Sequence, residues 1–374
     1  MAGRFPLDID LLLSVLNYLN DAVYITDRDR RILLWNKKAE EITGYSASEV
    51  VGSRCMDNIL VHIDKYGHPL CTTDLCPLYR AIMKESPSKS PVLIYAKHKK
   101  GHRIPVSVSV APMRDEKAGV IGGIEIFRDE TAPLLDLEFA RKVQQHALPE
   151  ELPQLEKISF DARYFPHQLI GGDFYWLKKI GESEVAVFIA DVRGHGVSAS
   201  LYTMVLRSLA GMLENEASDP AKFTGLINQK LCDFTVEESF ATAFYGIVDA
   251  HSMTLTYCGA GHPPALLMNL ATEKITRLEA AGLPLGIDSS QIYTPASISL
   301  APANFLLFYT DGATEIFDKE GKPFAIQGLE KTLRSLDFAD DATPLEQLYE
   351  KLLEFCGEVD LTDDVLFLSL KTSS

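Results

Sequence analysis

A chain of 374 residues, 46% of them hydrophobic, is too long for one ordinary domain and carries enough apolar material for two real cores. Its 36 basic and 52 acidic residues leave a formal charge of −16, which argues against a general binder of nucleic-acid backbones. Six thinly spread cysteines suit a reducing cytoplasm better than a disulfide scaffold, and neither the opening MAGRFPLDIDLLLSVL nor any later segment reads as a signal peptide or a membrane span.

Residues 8–19 are predicted to form an amphipathic helix that leads into a strand at 21–27. The polar turn Asp29-Arg30 joins it to a second strand at 31–36, and a short helix from Lys37 to Ile42 stops at Gly44-Tyr45. Ser46-Ala47-Ser48-Glu49 has the pattern of a capping box for the next helix. Three strands follow at 91–97, 103–112 and 119–128, and residues 106–110 alternate as a half-buried antiparallel strand should. This order, with Asp21-Ala22, Trp35-Asn36, Ala39-Glu40, Gly44-Tyr45, Glu49-Val50-Val51-Gly52, Gly101-His102-Arg103 and the last strand at 121–129, resembles a PAS sensor domain over residues 8–130. The resemblance implies a domain that senses a ligand, light or redox state, or that dimerises, without naming the signal.

Cys55 falls where light-sensing PAS relatives keep a flavin-linking cysteine. Its successors, Met56-Asp57-Asn58-Ile59, differ from the Arg-Phe-Leu-Gln run of those relatives, which argues against a flavin adduct. Cys55, His62, Cys71 and Cys76 carry the thiolate and imidazole donors that a metal ion or an iron–sulfur cluster takes. Their irregular spacing fits buried, silent thiols more simply, and both readings stay open at this level.

Residues 131–152 read as a helical connector. Thr131 can cap it, Pro133 fits its first turn, and Pro149 and Pro153 stop it. Leu135, Phe139, Lys142 or Val143, and Ala147 fall near one face. An ordinary helix packed on its neighbour would look like this. So would a signalling helix that pairs across a homodimer, although the seam is too short for a stable coiled coil alone.

In residues 153–372, three apolar strands are aimed at acids. Residues 184–190 deliver Asp191, with Gly194 and Gly196 behind it for tight turning. Residues 305–310 deliver Asp311 before Gly312, and Asp363 and Asp364 stand at the start of the run at 365–370. Asp173 follows Gly171-Gly172 and precedes the aromatic run Phe174-Tyr175-Trp176-Leu177. A lone Asp-Gly is usually a turn, but four acids at strand ends can converge on hard divalent cations.

Residues 135–372 resemble the sporulation-stage-II-E-type phosphatase domain, a branch of the metal-dependent protein phosphatase 2C class. The resemblance is carried by Ala140, Gln144-Gln145, Leu148-Pro149, Gly171-Gly172-Asp173-Phe174-Tyr175, Asp191-Val192-Arg193-Gly194-His195-Gly196 and Phe240-Ala241-Thr242. It continues through Gly259-Ala260-Gly261-His262-Pro263-Pro264, Gly282-Leu283-Pro284-Leu285-Gly286, Tyr309-Thr310-Asp311-Gly312-Ala313-Thr314-Glu315 and Asp363-Asp364. It implies an α+β chain in which the PAS domain and connector precede an α/β/β/α sandwich, two packed antiparallel sheets with helices outside and metals between the sheet ends.

The resemblance also assigns roles. Asp191 would bridge two Mn²⁺ or Mg²⁺ ions, the Val192 carbonyl would complete one shell, and Asp311 and Asp363, with Asp364 as the alternate, would ligate the second ion. Asp173 would order metal-bound water. Oxygen-only ligands suit Mg²⁺ or Mn²⁺ rather than zinc. No cysteine nucleophile is then needed, so Cys232, Cys258 and Cys356 read as core or silent. His195 and His262 are candidate general acids, although local packing explains either equally well. The implied activity is hydrolysis of phosphoserine or phosphothreonine on a protein, by resemblance a small anti-sigma-factor antagonist in a partner-switching pathway.

Three departures stand out: Trp176 where the family often has an acid, Asn304 where an acid usually precedes the Tyr-Thr-Asp-Gly strand, and Leu366 where a hydroxyl residue is common. None removes a proposed metal ligand; the expected effect is looser secondary hydrogen bonds, lower activity or a changed metal preference. Gly171-Gly172-Asp173-Phe174 also resembles the signature of cyclic-dinucleotide synthases, but Tyr175 stands where their next acid belongs. A non-catalytic binding protein on a phosphatase fold is the rival reading, and the retained Asp173, Asp191, Asp311 and Asp363 argue against it.

Overall fold

The computed structural model describes residues 9–149, 151–234, 239–279, 281–339, 342–357 and 361–373. The chain divides into two compact units between Asp136 and Leu137. Asp8, the first residue of the expected N-terminal helix, lies outside the described residues.

The first unit opens with α1 (Ile9–Tyr18), the hairpin β1 (Ala22–Asp27) and β2 (Ile32–Trp35), and two short helices, α2 (Lys37–Thr43) and α3 (Ala47–Val50). Asn36 fixes the junction: its Oδ1 accepts from the amides of Val23 and Ala39, both at 2.9 Å, so one side chain caps α2 and ties it to β1. The capping box of α3 forms, with Ser46 N donating to Glu49 Oε2 at 2.9 Å. A third helix, α4 (Pro77–Lys84), begins on Pro77, whose missing amide suits a first helical position. The strands β3 (Val92–Lys97), β4 (Arg103–Arg114) and β5 (Val120–Asp129) complete an antiparallel sheet in the order β2-β1-β5-β4-β3. Along β4 the burial alternates, and its inward Ile104, Val106 and Val108 pack with Tyr24, Trp35 and Phe127 in the core.

Helix α5 (Thr131–Ala147) carries the chain into the second unit. There the first sheet runs β13-β10-β9-β8-β7, and the second runs β12-β11-β14-β15-β6. Their strands are β6 (Ile158–Phe165), β7 (Asp173–Lys179), β8 (Glu184–Val192), β9 (Ala241–Asp249), β10 (Thr254–Ala260), β11 (Ala265–Asn269), β12 (Ile275–Leu278), β13 (Ala296–Ser299), β14 (Asn304–Tyr309) and β15 (Val365–Thr372). Every pairing within both sheets is antiparallel.

The central strands read as unbroken apolar runs because both of their faces are covered. Val185, Val187 and Ile189 of β8 pack with Leu306 and Phe308 of β14 and with Leu366 and Leu368 of β15. The other side of β8, Ala186, Phe188 and Ala190, packs with residues of α6 (Val197–Met212) and α7 (Pro220–Phe234). Phe305, Leu307 and Phe367 pack with residues of α8 (Ala325–Leu333) and α9 (Pro344–Cys356). The result is the expected helix–sheet–sheet–helix sandwich. Among the described residues no helix is long and apolar enough to cross a membrane.

Candidate active site

The register of β7 and β8 sets Asp173 directly opposite Asp191, and the register of β8 and β9 sets Asp191 opposite Thr242. Two carboxyl groups therefore occupy one rung at the end of the first sheet, and both could be charged only with compensation. The second sheet supplies the remaining acids. Just past β14, Asp311 opens a 3₁₀ turn over Asp311–Ala313, and Asp363 and Asp364 immediately precede β15.

Thr310 links the two strand ends. Its hydroxyl donates to Asp173 Oδ2 at 2.7 Å and accepts from the Leu366 amide at 3.0 Å, while its own amide donates to the Leu366 carbonyl at 3.2 Å. Asp364 is buried, with Oδ1 accepting from the His167 amide at 2.8 Å and Oδ2 from the Gly172 amide at 2.7 Å. Asp363 is exposed and uses Oδ1 to accept from the Asp364 amide at 2.8 Å. The backbone comes close enough here to exclude side chains. A Cβ on Gly171 would lie 1.8 Å from the Tyr164 hydroxyl, and one on Gly312 would lie 2.0 Å from the Asp364 carbonyl.

The electrostatics of the site are those of uncompensated carboxylates. Burial, then Asp191, push Asp173 well above the usual carboxylate range, against the opposing Thr310 hydrogen bond. Burial raises Asp191 to about 7, and the charges that add to it are Asp311, Asp363, Asp364 and Glu315. Asp311 is raised to about 6 by burial, then by Glu315 and Asp363. Burial raises Asp364 as well, and its two backbone donors partly offset this. Among the described residues, no three His, Cys, Asp or Glu side chains stand close enough to hold an ion as they are. An open arrangement is what mutual repulsion produces, and the donor set of hard oxygens with excess negative charge fits Mg²⁺ or Mn²⁺.

The Val192 amide donates to the Gly172 carbonyl at 3.1 Å, which fixes the backbone of the loop after Asp191. His195 is exposed, and its Nδ1 lies 3.1 Å from Gln168 Nε2 rather than on an acid. His262 Nδ1 lies 2.9 Å from Thr242 Oγ1, and burial lowers its pKa to about 3, so the ring is neutral. The three departures leave the site's hydrogen bonds in place. Trp176 stacks on Phe223, Asn304 Oδ1 accepts from the Ala301 amide at 2.8 Å, and Leu366 is core while its amide still reaches Thr310. Cys258 and Cys356 are buried as expected, and Cys232 is half-buried.

Two residues beside the acids escaped the sequence reading as site members. Glu315 was visible only as the end of the Tyr-Thr-Asp-Gly-Ala-Thr-Glu motif. Gln144, on α5, donates through Nε2 to the Gly171 carbonyl at 2.7 Å and to Thr203 Oγ1 at 3.1 Å, and its Oε1 accepts from the Gly171 amide at 3.2 Å.

In the first unit, Cys55, His62, Cys71 and Cys76 are all buried. The Cys71 and Cys76 thiols lie near enough to shift each other's ionisation, and the His62 amide donates to Cys71 Sγ at 3.1 Å. The His62 ring turns instead to Glu125, with Nε2 3.7 Å from Oε1. Cys55 and Cys76 both lie near that same carboxylate, so the four residues and Glu125 form one buried neighbourhood. Glu125 was legible as an acid at an inward position of β5, on the same face as Phe127.

Residues 181–373, just over half of the chain, match the family model for stage II sporulation protein E (SpoIIE), and residues 20–132 match a PAS domain model. The chain is 31% identical over 185 residues to the phosphoserine phosphatase RsbP of Bacillus subtilis, covering 48% of this chain and 45% of that protein. It is 24% identical over 307 residues to the phosphoserine phosphatase RsbU of the same organism, covering 81% of this chain and 88% of that protein. It thus spans less than half the length of RsbP. The SiaA-PP2C domain of Pseudomonas aeruginosa superposes with a TM-score of 0.56 at 24% identity, over 65% of this chain and all of that domain, which shows a shared fold. The chain belongs to the stage II sporulation protein E family of PP2C-type phosphatases and carries a PAS domain ahead of its phosphatase domain.

Proposed function

We propose that the chain is a PAS-regulated, Mn²⁺- or Mg²⁺-dependent phosphatase of phosphoserine or phosphothreonine in a protein. The observation that carries this reading is the set of carboxylates at four strand ends whose neighbouring charges are other carboxylates. Asp191, with the Val192 carbonyl, would hold the first ion and share the second with Asp311 and Asp363. Bound there, the ions would acidify water and offset charge on the phosphoryl oxygens. Asp173, pinned by Thr310, keeps one carboxylate oxygen available to order water or hold a proton. Asp364 holds the Gly171-Gly172 turn in place and is assigned a positioning role, which favours Asp363 as the ligand.

By its likeness to RsbP and RsbU, and by the family resemblance in its motifs, the chain would act on a small anti-sigma-factor antagonist in the cytoplasm. It would work as a homodimer in which the PAS domain acts through the connector of residues 131–152. Asp191→Ala is expected to lower Mn²⁺-dependent phosphate release from a phosphopeptide at least about 100-fold with unchanged circular dichroism. Full activity in that variant would refute the metal assignment. A folded wild-type protein with no turnover of phosphoproteins or small phosphoesters would favour the non-catalytic binding protein.

A further inference from the structure

Cys71 and Cys76 are five positions apart, with no helix or strand between them. Two tight turns fold the segment back on itself: the Thr73 amide donates to the Leu70 carbonyl at 3.0 Å, and the Cys76 amide to the Thr73 carbonyl at 3.3 Å. These turns, with one Arg30 nitrogen reaching both the Cys71 carbonyl and Cys76 Sγ, hold the two cysteines near each other. Both cysteines are buried, while residues 72–75 between them are exposed.

The surroundings of Cys76 favour a thiolate. Arg30, in the left-handed turn between β1 and β2, places Nη1 4.0 Å from Cys76 Sγ while donating to the Cys71 carbonyl at 2.8 Å. The same guanidinium lies over the Tyr79 ring at 5.2 Å, so it is held on three sides. Cys76 is also the N-cap residue of α4, at the positive end of an eight-residue helix. The neighbouring Cys71 thiol, then the Tyr79 amide and the Arg30 charge, draw Cys76 down to about 6 against the effect of burial, while Cys71 is raised. One thiol is thus prepared to attack and its neighbour stays protonated.

We propose that Cys71 and Cys76 are a dithiol that a hydroperoxide oxidises to a disulfide, with Cys76 attacking and Cys71 resolving. The Cys76 thiolate sulfur attacks the O–O bond of hydrogen peroxide; with one proton taken up, this gives a Cys76 sulfenic acid and one water. The Cys71 sulfur then displaces that hydroxyl, forming the S–S bond and releasing a second water. Two thiols and one peroxide become one disulfide and two waters, and the two electrons lost by sulfur reduce the peroxide bond. Closing the bridge removes the sulfur charge beside Arg30, which reaches from the β1–β2 turn.

The test is a competition within the intact, reduced chain, which holds six free cysteines. Cys232 is the internal control, because it is more exposed than either PAS thiol while its pKa is raised by burial. With one equivalent of hydrogen peroxide at neutral pH, peptide mass spectrometry should find a Cys71–Cys76 disulfide forming about tenfold faster than Cys232 oxidises, and dithiothreitol should reverse it. In Cys71→Ser the Cys76 sulfenic acid should accumulate and be trapped by dimedone, and Arg30→Met should slow attack several-fold. If Cys71→Ser does not fold, the wild-type competition decides alone. Oxidation of Cys232 first, Cys76 oxidation without a link to Cys71, or a stoichiometric metal on the purified thiols would each overturn the proposal.

Discussion

Asp363 and Asp364 are neighbours in sequence with opposite circumstances. Asp364 is buried and bound by two backbone amides, whereas Asp363 is exposed with one amide to accept. Asp364→Ala leaves the His167 and Gly172 amides without their acceptor and is expected to destabilise the phosphatase domain by about 3 kcal/mol, read as a lower melting transition of that domain in the full chain. Asp363→Ala should leave that transition in place and abolish Mn²⁺-dependent turnover. Sequence pattern favoured Asp363 but could not disclose the clamp, because the partners of Asp364 lie 197 and 192 residues away.

In the PAS core, burial raises Glu125 to about 8 and lowers His62 to about 4. Glu125 faces Tyr24, Cys55, Cys76 and His62, and neither of its oxygens has a hydrogen-bond partner. A raised carboxylate contributes stability that is fully present below its unfolded value and lost as pH rises through about 8; His62 acts oppositely, its contribution lost as pH falls through about 4. Glu125→Gln should therefore raise the PAS melting temperature above pH 8 and change it least near pH 4.5, as followed by calorimetry across that range.

Among the elements, α5 has two distinct parts. Leu135, Phe139 and Val143 of the expected seam are exposed, while Gln144 is buried and holds both backbone groups of Gly171. Gln144→Ala is expected to cost about 2 kcal/mol and to lower kcat about tenfold more than it alters KM, because Gly171 sits two residues from Asp173. An unchanged kcat in a folded variant would detach the helix from the site. The strands were legible because their runs are apolar on both faces, and the acids at their ends stood out against that background. The helical spacing of Leu345, Leu348, Leu352 and Cys356 in α9 was equally open to reading. The order β13-β10-β9-β8-β7 was not, because sheet order is decided by pairing between distant segments. The contact of Gln144 with Gly171 was hidden for the same reason: its motif marked the residue without its partner.

For the whole molecule, two compact units and two separate family matches would make the proposed sensing and the proposed chemistry divisible. Deleting residues 1–130 is expected to preserve Mn²⁺-dependent hydrolysis of a small phosphoester and to remove any response to the PAS signal; a rate and a response both unchanged would sink the sensor role. The rung that pairs Asp173 with Asp191 sets two carboxyl groups face to face across β7 and β8. If the proposed cations bind there, the charge of the facing carboxylates is offset by a solute rather than by the polypeptide. Ions bound to the folded site would then add to the stability of the domain that holds it. The supply of a simple salt would set that margin, before any phosphoprotein arrives.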